Sequence, residues 1–196
     1  MISYSKKFIL ITPEKTGSVS LVSALKKYIN INTVNQQRKD CFDFGDDFRD
    51  SLAKHLSLYH YVGGWDKEKL GSIEDYNLFG AIRNPYDRAV SWWKWSNPMN
   101  ESSEEFLNFI KNHNPVSLME RLNYKSLHVE KFIRFETMQK DFNSFCRHVN
   151  IPVQELPHKN QSNHRHYTEY YNDEARQIAA RKYAKDIEHF GYEFGE

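Results

Sequence analysis

Two short stretches of the chain hold side chains suited to gripping an anion. Lys15-Thr16-Gly17-Ser18-Val19-Ser20 sets a lysine beside a glycine and three hydroxyls, and Arg83 stands eight residues before Ser91 in Arg83-Asn84-Pro85-Tyr86-Asp87-Arg88-Ala89-Val90-Ser91. A phosphate-like group needs N–H and O–H donors, a positive charge and a backbone it can approach closely. Each stretch has donors and a cation, and Gly17 adds the close approach.

The flanking patterns say what holds these residues. Phe8-Ile9-Leu10-Ile11 is a short apolar run of strand formers, read as a buried strand. Pro13 to Ser18 breaks it with turn chemistry, after which Leu21, Val22, Leu25 and Tyr28 recur at helical spacing. The first turn of that helix has unpaired N–H groups and the positive end of the macrodipole. An ordinary capped helix with a solvated lysine fits this stretch equally well. Leu78 to Ile82 is a second apolar run, ending at Arg83. Asn84 suits an N-cap, Pro85 the first helical position and Asp87 the third, so a helix runs on through Ala89, Val90 and Trp93. Ser91 falls about two turns in, on the face of Asn84 and Arg88. An arginine that simply pairs with an acid is the competing reading of Arg83. Both helix starts belong at the carboxyl ends of strands in a parallel sheet, the edge where such sheets bind ligands. A ligand with two separate phosphate-like groups is the natural guest.

Elsewhere, residues 30–50 read as a polar loop leading into a short helix, with acids at Asp40, Asp43, Asp46 and Asp47. His55 and His60 lie five apart, wrong for one helical face, so a zinc pair is disfavoured. Residues 63–76 form a connector, Ser103–Asn112 an amphipathic helix, Val129–Phe135 a third strand, and Glu136–His148 a helix. The stretch 151–167, rich in cationic and polar residues, is loop-like, either solvated or folded over a bound anion. A last helix spans Asp173–His189 and closes at Gly191.

A length of 196 residues fits a single domain over 1–196, burying roughly 70% of the surface its unfolded chain would expose. The formal charge of +1 leaves nothing in excess to hold a nucleic acid unspecifically. Aromatic content is 15%, including Trp92-Trp93-Lys94-Trp95, expected mainly to fill a core. Cys41 and Cys146 form no CxxC and read as free, inert thiols of a reducing, cytoplasmic compartment. The first apolar run is too short for a signal peptide or membrane anchor.

With both motifs in view, the chain resembles the sulfotransferases that use 3′-phosphoadenosine 5′-phosphosulfate (PAPS). Lys15 to Ser20 is similar to their 5′-phosphosulfate loop, usually Pro-Lys-Thr/Ser-Gly-Ser/Thr-Thr/Ser, and Arg83 to Ser91 to their 3′-phosphate motif. Phe135-Glu136, Asp141-Phe142, Tyr170-Tyr171, Asp186 and Phe190-Gly191-Tyr192 resemble the carbohydrate and bacterial branch. The resemblance implies a three-layer α/β fold, a central parallel sheet flanked by helices, related to the P-loop nucleotide hydrolases. It implies PAPS as donor, adenosine 3′,5′-bisphosphate (PAP) as product, no metal, and a carbohydrate or small-molecule acceptor. Lys15, Thr16, Gly17, Ser18, Val19, Ser20, Arg83, Ser91, Lys159 and Ser162 are then the cofactor contacts, with Lys15 and His55 catalytic. His55 sits in Lys54-His55-Leu56-Ser57, similar to the segment that supplies the base, with His60 or an acid of 40–47 as substitutes. Two positions depart from the pattern. Glu14 stands where the family has proline, its carboxylate repelling a phosphosulfate unless turned away, and Val19 replaces a hydroxyl residue.

Three rivals remain. A small P-loop kinase needs Gly-x-x-x-x-Gly-Lys-Ser/Thr, and here lysine precedes glycine. A Ser-Lys hydrolase is echoed by Ser23-Ala24-Leu25-Lys26 but has its motifs in the wrong order. A non-catalytic nucleotide- or RNA-binding module would use the tryptophan cluster.

Overall fold

The computed structural model describes residues 1–30, 56–157 and 165–196. In chain order its elements are β1 (Ile2–Ser3), β2 (Phe8–Ile11), α1 (Ser18–Leu25), α2 (Leu58–Gly63), α3 (Lys67–Leu70), β3 (Asn77–Ile82), α4 (Pro85–Ser96), α5 (Ser103–Asn112), α6 (Leu118–Leu122), β4 (Asn123–Tyr124), β5 (Leu127–His128), β6 (Lys131–Arg134), α7 (Met138–His148), α8 (Asp173–Lys182) and α9 (Ala184–Phe190). They fall into two compact units, one of Met1–Ile82 with Glu120–Lys159, the other of Arg83–Met119 with Asn160–Glu196.

The first unit holds a sheet of order β1-β2-β3-β6. Its inner pairings are parallel, Phe8 opposite Asn77 through Ile11 opposite Gly80, and Phe79 opposite Lys131 through Ile82 opposite Arg134. β1 runs antiparallel to β2, so the expected all-parallel sheet is parallel except at this edge. Every residue of β2 is fully buried, which explains its unbroken apolar run. On one face Phe8, Leu10, Phe79, Ala81 and Ile133 pack with Leu21 and Leu25 of α1 and Phe142, Phe145 and Cys146 of α7. Cys146 is inert there, burial pushing its thiol up to about 11. Gly80 marks a close approach to another element. A Cβ on it would stand 2.6 Å from Leu122 Cδ2 and 3.2 Å from Val129 Cγ1, so only glycine lets the end of α6 sit this near β3.

The second unit is an aromatic core. Tyr86, Val90 and Trp93 of α4 meet Phe106 and Ile110 of α5, Tyr167 and Tyr170 of a short 3-10 turn, and Ala175 and Ala179 of α8. Of the tryptophan cluster only Trp93 is buried, and Trp95 is 69% exposed. The expected last helix is broken at Tyr183, whose φ of −106° ends α8, and α9, which carries Asp186, starts directly after it. Buried Asp186 accepts hydrogen bonds from Ser117 Oγ, Leu118 N at 2.8 Å and Met119 N at 3.1 Å, capping α6.

Lys94 is buried because its charge is answered. Its Nζ donates to Asn100 O at 2.8 Å and to the Glu101 carboxylate, which also accepts from Tyr170 at 2.5 Å and Arg165 at 3.2 Å. Lys94 first, then Tyr170 and Arg165, hold the Glu101 carboxyl down at about 2. A carboxyl lowered on folding stabilises above its ordinary value near 4.5, and that stability fades as pH falls toward the folded value. Glu101→Gln is therefore expected to lower Tm at neutral pH and to flatten the acid limb of the Tm profile below about pH 4.5. An unchanged acid limb would contradict this.

Candidate functional site

Directly after β2 the chain enters a tight loop, Thr12 to Gly17, that leads into α1. Lys15 has φ +67° and Gly17 φ +82°, so two of its residues are left-handed. For lysine this conformation is strained, and strain held in place by its surroundings is typical of a binding loop. The surroundings are specific. The Thr16 hydroxyl donates to Pro13 O at 2.7 Å, drawing the turn closed. A Cβ at Gly17 would stand 2.1 Å from Met138 Cε and 3.3 Å from Phe135 Cδ2, so the start of α7 backs the loop.

Gly17 is the N-cap of α1, and no side chain caps that helix or places an acid in its first turn. Among the described residues the hydroxyls of Ser18 and Ser20 make no hydrogen bond. The helix start therefore keeps the donors and positive potential an anion requires. Thr16 differs from the expectation, since its hydroxyl proton is committed to Pro13 and only its N–H remains a donor toward a ligand. Val19 is half-exposed and likewise has only its N–H to offer.

Glu14, the residue out of pattern, is not a bare charge beside Lys15. Arg121 Nη2 donates to its Oε1 at 2.8 Å, with the two side chains 20% and 15% exposed. The sequence held no sign of this, because a pair 107 residues apart leaves no local spacing to read.

The second motif folds as its caps dictate. Asn84 Oδ1 accepts from Tyr86 N at 3.0 Å, Pro85 opens α4 and Asp87 lies in its first turn. Arg83 is buried, and its Nε donates to Asp87 Oδ2 at 2.8 Å. The pairing with an acid is thus present. It also fixes the plane of the guanidinium at the mouth of α4. Ser91 is buried two turns along, its hydroxyl without a hydrogen bond among the described residues.

His60 has a structural role. Its Nδ1 accepts from Ser57 N at 3.3 Å and lies 2.7 Å from Ser57 Oγ, forming the capping box of α2. A ring nitrogen that accepts a backbone N–H leaves the neutral ring's proton on Nε2, where a base would need a lone pair. Asp141, one of the family-like acids, is structural too, accepting from Arg134 N at 3.0 Å and Thr137 Oγ1 at 2.8 Å at the turn into α7. His55, Lys159, Ser162, Cys41 and the acids of 40–47 lie outside the described residues. Among the described residues no group of three or more His, Cys, Asp or Glu is placed to hold a metal, and no helix is long and apolar enough to cross a membrane.

This is a mixed α/β protein with a central, mostly parallel sheet flanked by helices, and its first strand-to-helix loop has the donors of an anion seat. The chain belongs to the sulfotransferase family, whose model matches residues 2–193. Searches of curated proteins and of solved structures each found no match.

Proposed function

We propose that the chain moves the sulfuryl group of PAPS to the hydroxyl of a carbohydrate or other small acceptor, releasing PAP. Family membership supports sulfuryl transfer, and one observation carries the choice of donor. β2 and β3 are adjacent and parallel, so both leave the sheet at one edge, the first running into the Lys15 loop and the second straight into Arg83. A donor with phosphate at both ends of an adenosine suits two seats that start from neighbouring strand ends.

Bound PAPS would supply an activated sulfuryl group whose leaving atom is a phosphate oxygen. Lys15 and the N–H groups of Thr16 to Ser20 would balance the charge that grows on that oxygen as its bond to sulfur breaks. Ser18 and Ser20 would add hydroxyl donors. Arg83 and Ser91 would hold the 3′-phosphate, with Lys159 and Ser162 completing the contacts by resemblance to the family. His55 would take the proton of the acceptor hydroxyl as its oxygen bonds to sulfur, a role its ordinary pKa of about 6.5 suits. The capping geometry of His60 favours His55 over it. The buried thiol of Cys146 is in keeping with a reducing, cytoplasmic setting.

The test is an acceptor screen with labelled PAPS. Label transferred to a sugar or phenol supports the proposal, and phosphoryl transfer from ATP with no sulfuryl transfer would replace it with the kinase reading. Within the same assay Arg83→Ala is expected to raise the KM for PAPS by tenfold or more with kcat largely kept, since a lost charged hydrogen bond costs about 1.5–3 kcal/mol of binding. A fall in kcat at unchanged KM would place Arg83 at the transferred group instead.

A further inference from the structure

We infer that Arg121 is a positioning residue for the donor loop, answering the carboxylate that Glu14 places beside the phosphosulfate seat; this rests on the donor reading above. Glu14 directly precedes Lys15, and an acid there would oppose both the lysine's charge and the field of the α1 N-terminus. Arg121 meets that carboxylate at 2.8 Å in a largely buried pair, where solvent screens little. The pair turns Glu14 toward α6 and leaves the seat with the charge of Lys15.

The arginine is itself firmly placed. It precedes Leu122, which lies against β3 in the space that Gly80 leaves open, so the end of α6 is seated on the strand adjacent to β2. The loop is then held at successive points: Glu14 by Arg121, Thr16 by Pro13 O, and Gly17 by Met138 and Phe135. Lys15 keeps its left-handed backbone between them. The departure at position 14 and the arginine at 121 thus act as one charge-neutral unit.

Calorimetric titration of PAP into wild type, Glu14→Gln, Arg121→Gln and the double variant, with Tm measured for each, tests this. Arg121→Gln is expected to weaken PAP by about tenfold, and the double variant to recover to within about threefold of wild type, as coupled neighbours do. Glu14→Gln alone is expected to bind at least as tightly as wild type, and it decides the matter if Arg121→Gln does not fold. A double variant no better than Arg121→Gln, or a tenfold loss in Glu14→Gln at unchanged Tm, would overturn the inference. Wild type that binds no PAP would overturn the donor reading itself.

Discussion

Lys15→Ala is expected to lower sulfuryl transfer about 10²–10³-fold while PAP still binds, the usual cost of removing one group aimed at charge that develops in a transition state. The loop backbone gives this prediction an internal control. Lys15 has φ +67°, which alanine tolerates no better than lysine and glycine adopts freely. Lys15→Gly is therefore expected to be at least as stable as wild type, by up to about 1 kcal/mol, and as inactive as the alanine variant. Urea unfolding and the labelled-PAPS assay on both variants separate charge from conformation. Full activity in either would remove Lys15 from the chemistry.

Gly17→Ala is the second large effect, and it strikes the loop itself. The added methyl meets a left-handed backbone, which costs an L-residue about 1–2 kcal/mol. It also falls 2.1 Å from Met138 Cε, so the methionine must move. Overpacking of this kind typically adds about 1–3 kcal/mol. The expected outcome is a lower urea midpoint and a loss of PAP binding. Met138→Ala in the same chain should restore part of the stability, since it removes the clash and leaves the φ cost. A Gly17→Ala protein with wild-type midpoint and affinity would mean that the loop is free to rearrange.

Features set by neighbours in sequence were legible, and those set by distant partners were not. Phe8–Ile11 reads as a buried strand because four consecutive apolar residues need cover on both faces. Asn84, Pro85 and Asp87 mark the start of α4 because cap and dipole chemistry acts within one turn. The structure adds two caps of the same local kind, Ser102 on α5 and Asn172 on α8, accepting from Glu105 N and Ala175 N. By contrast β1, β4 and β5 have two residues each, too few to show a period. The third strand was expected over Val129–Phe135 and is Lys131–Arg134, with the buried Val129 packing ahead of it. The following helix starts at Met138 because Asp141 holds the intervening turn, and α1 stops at Leu25 with Tyr28 in a turn beyond it. The break at Tyr183 answers the aromatic core it enters, not any helix breaker in the sequence.

For the candidate site the same division holds. The donors of the Lys15 loop and of the Arg83 motif were visible because their spacing is local. The capping role of His60, the closed hydroxyl of Thr16, the Arg83–Asp87 pair and the answer to Glu14 needed coordinates. Of these, Asp87 was within reach of sequence reasoning, an acid four residues after Arg83 in the first turn of the helix that follows it. Arg121 was not.

Titration of the wild-type chain with PAP, AMP and ATP under one set of conditions asks whether the two seats grip one donor, because only PAP has a phosphate at both the 3′ and 5′ positions of one adenosine. PAP is expected to bind more tightly than AMP by tenfold or more, with ATP no better than AMP and no demand for Mg²⁺, as a second charged contact worth about 1.5–3 kcal/mol requires. Equal affinity for PAP and AMP, or tight Mg²⁺-dependent binding of ATP alone, would contradict it.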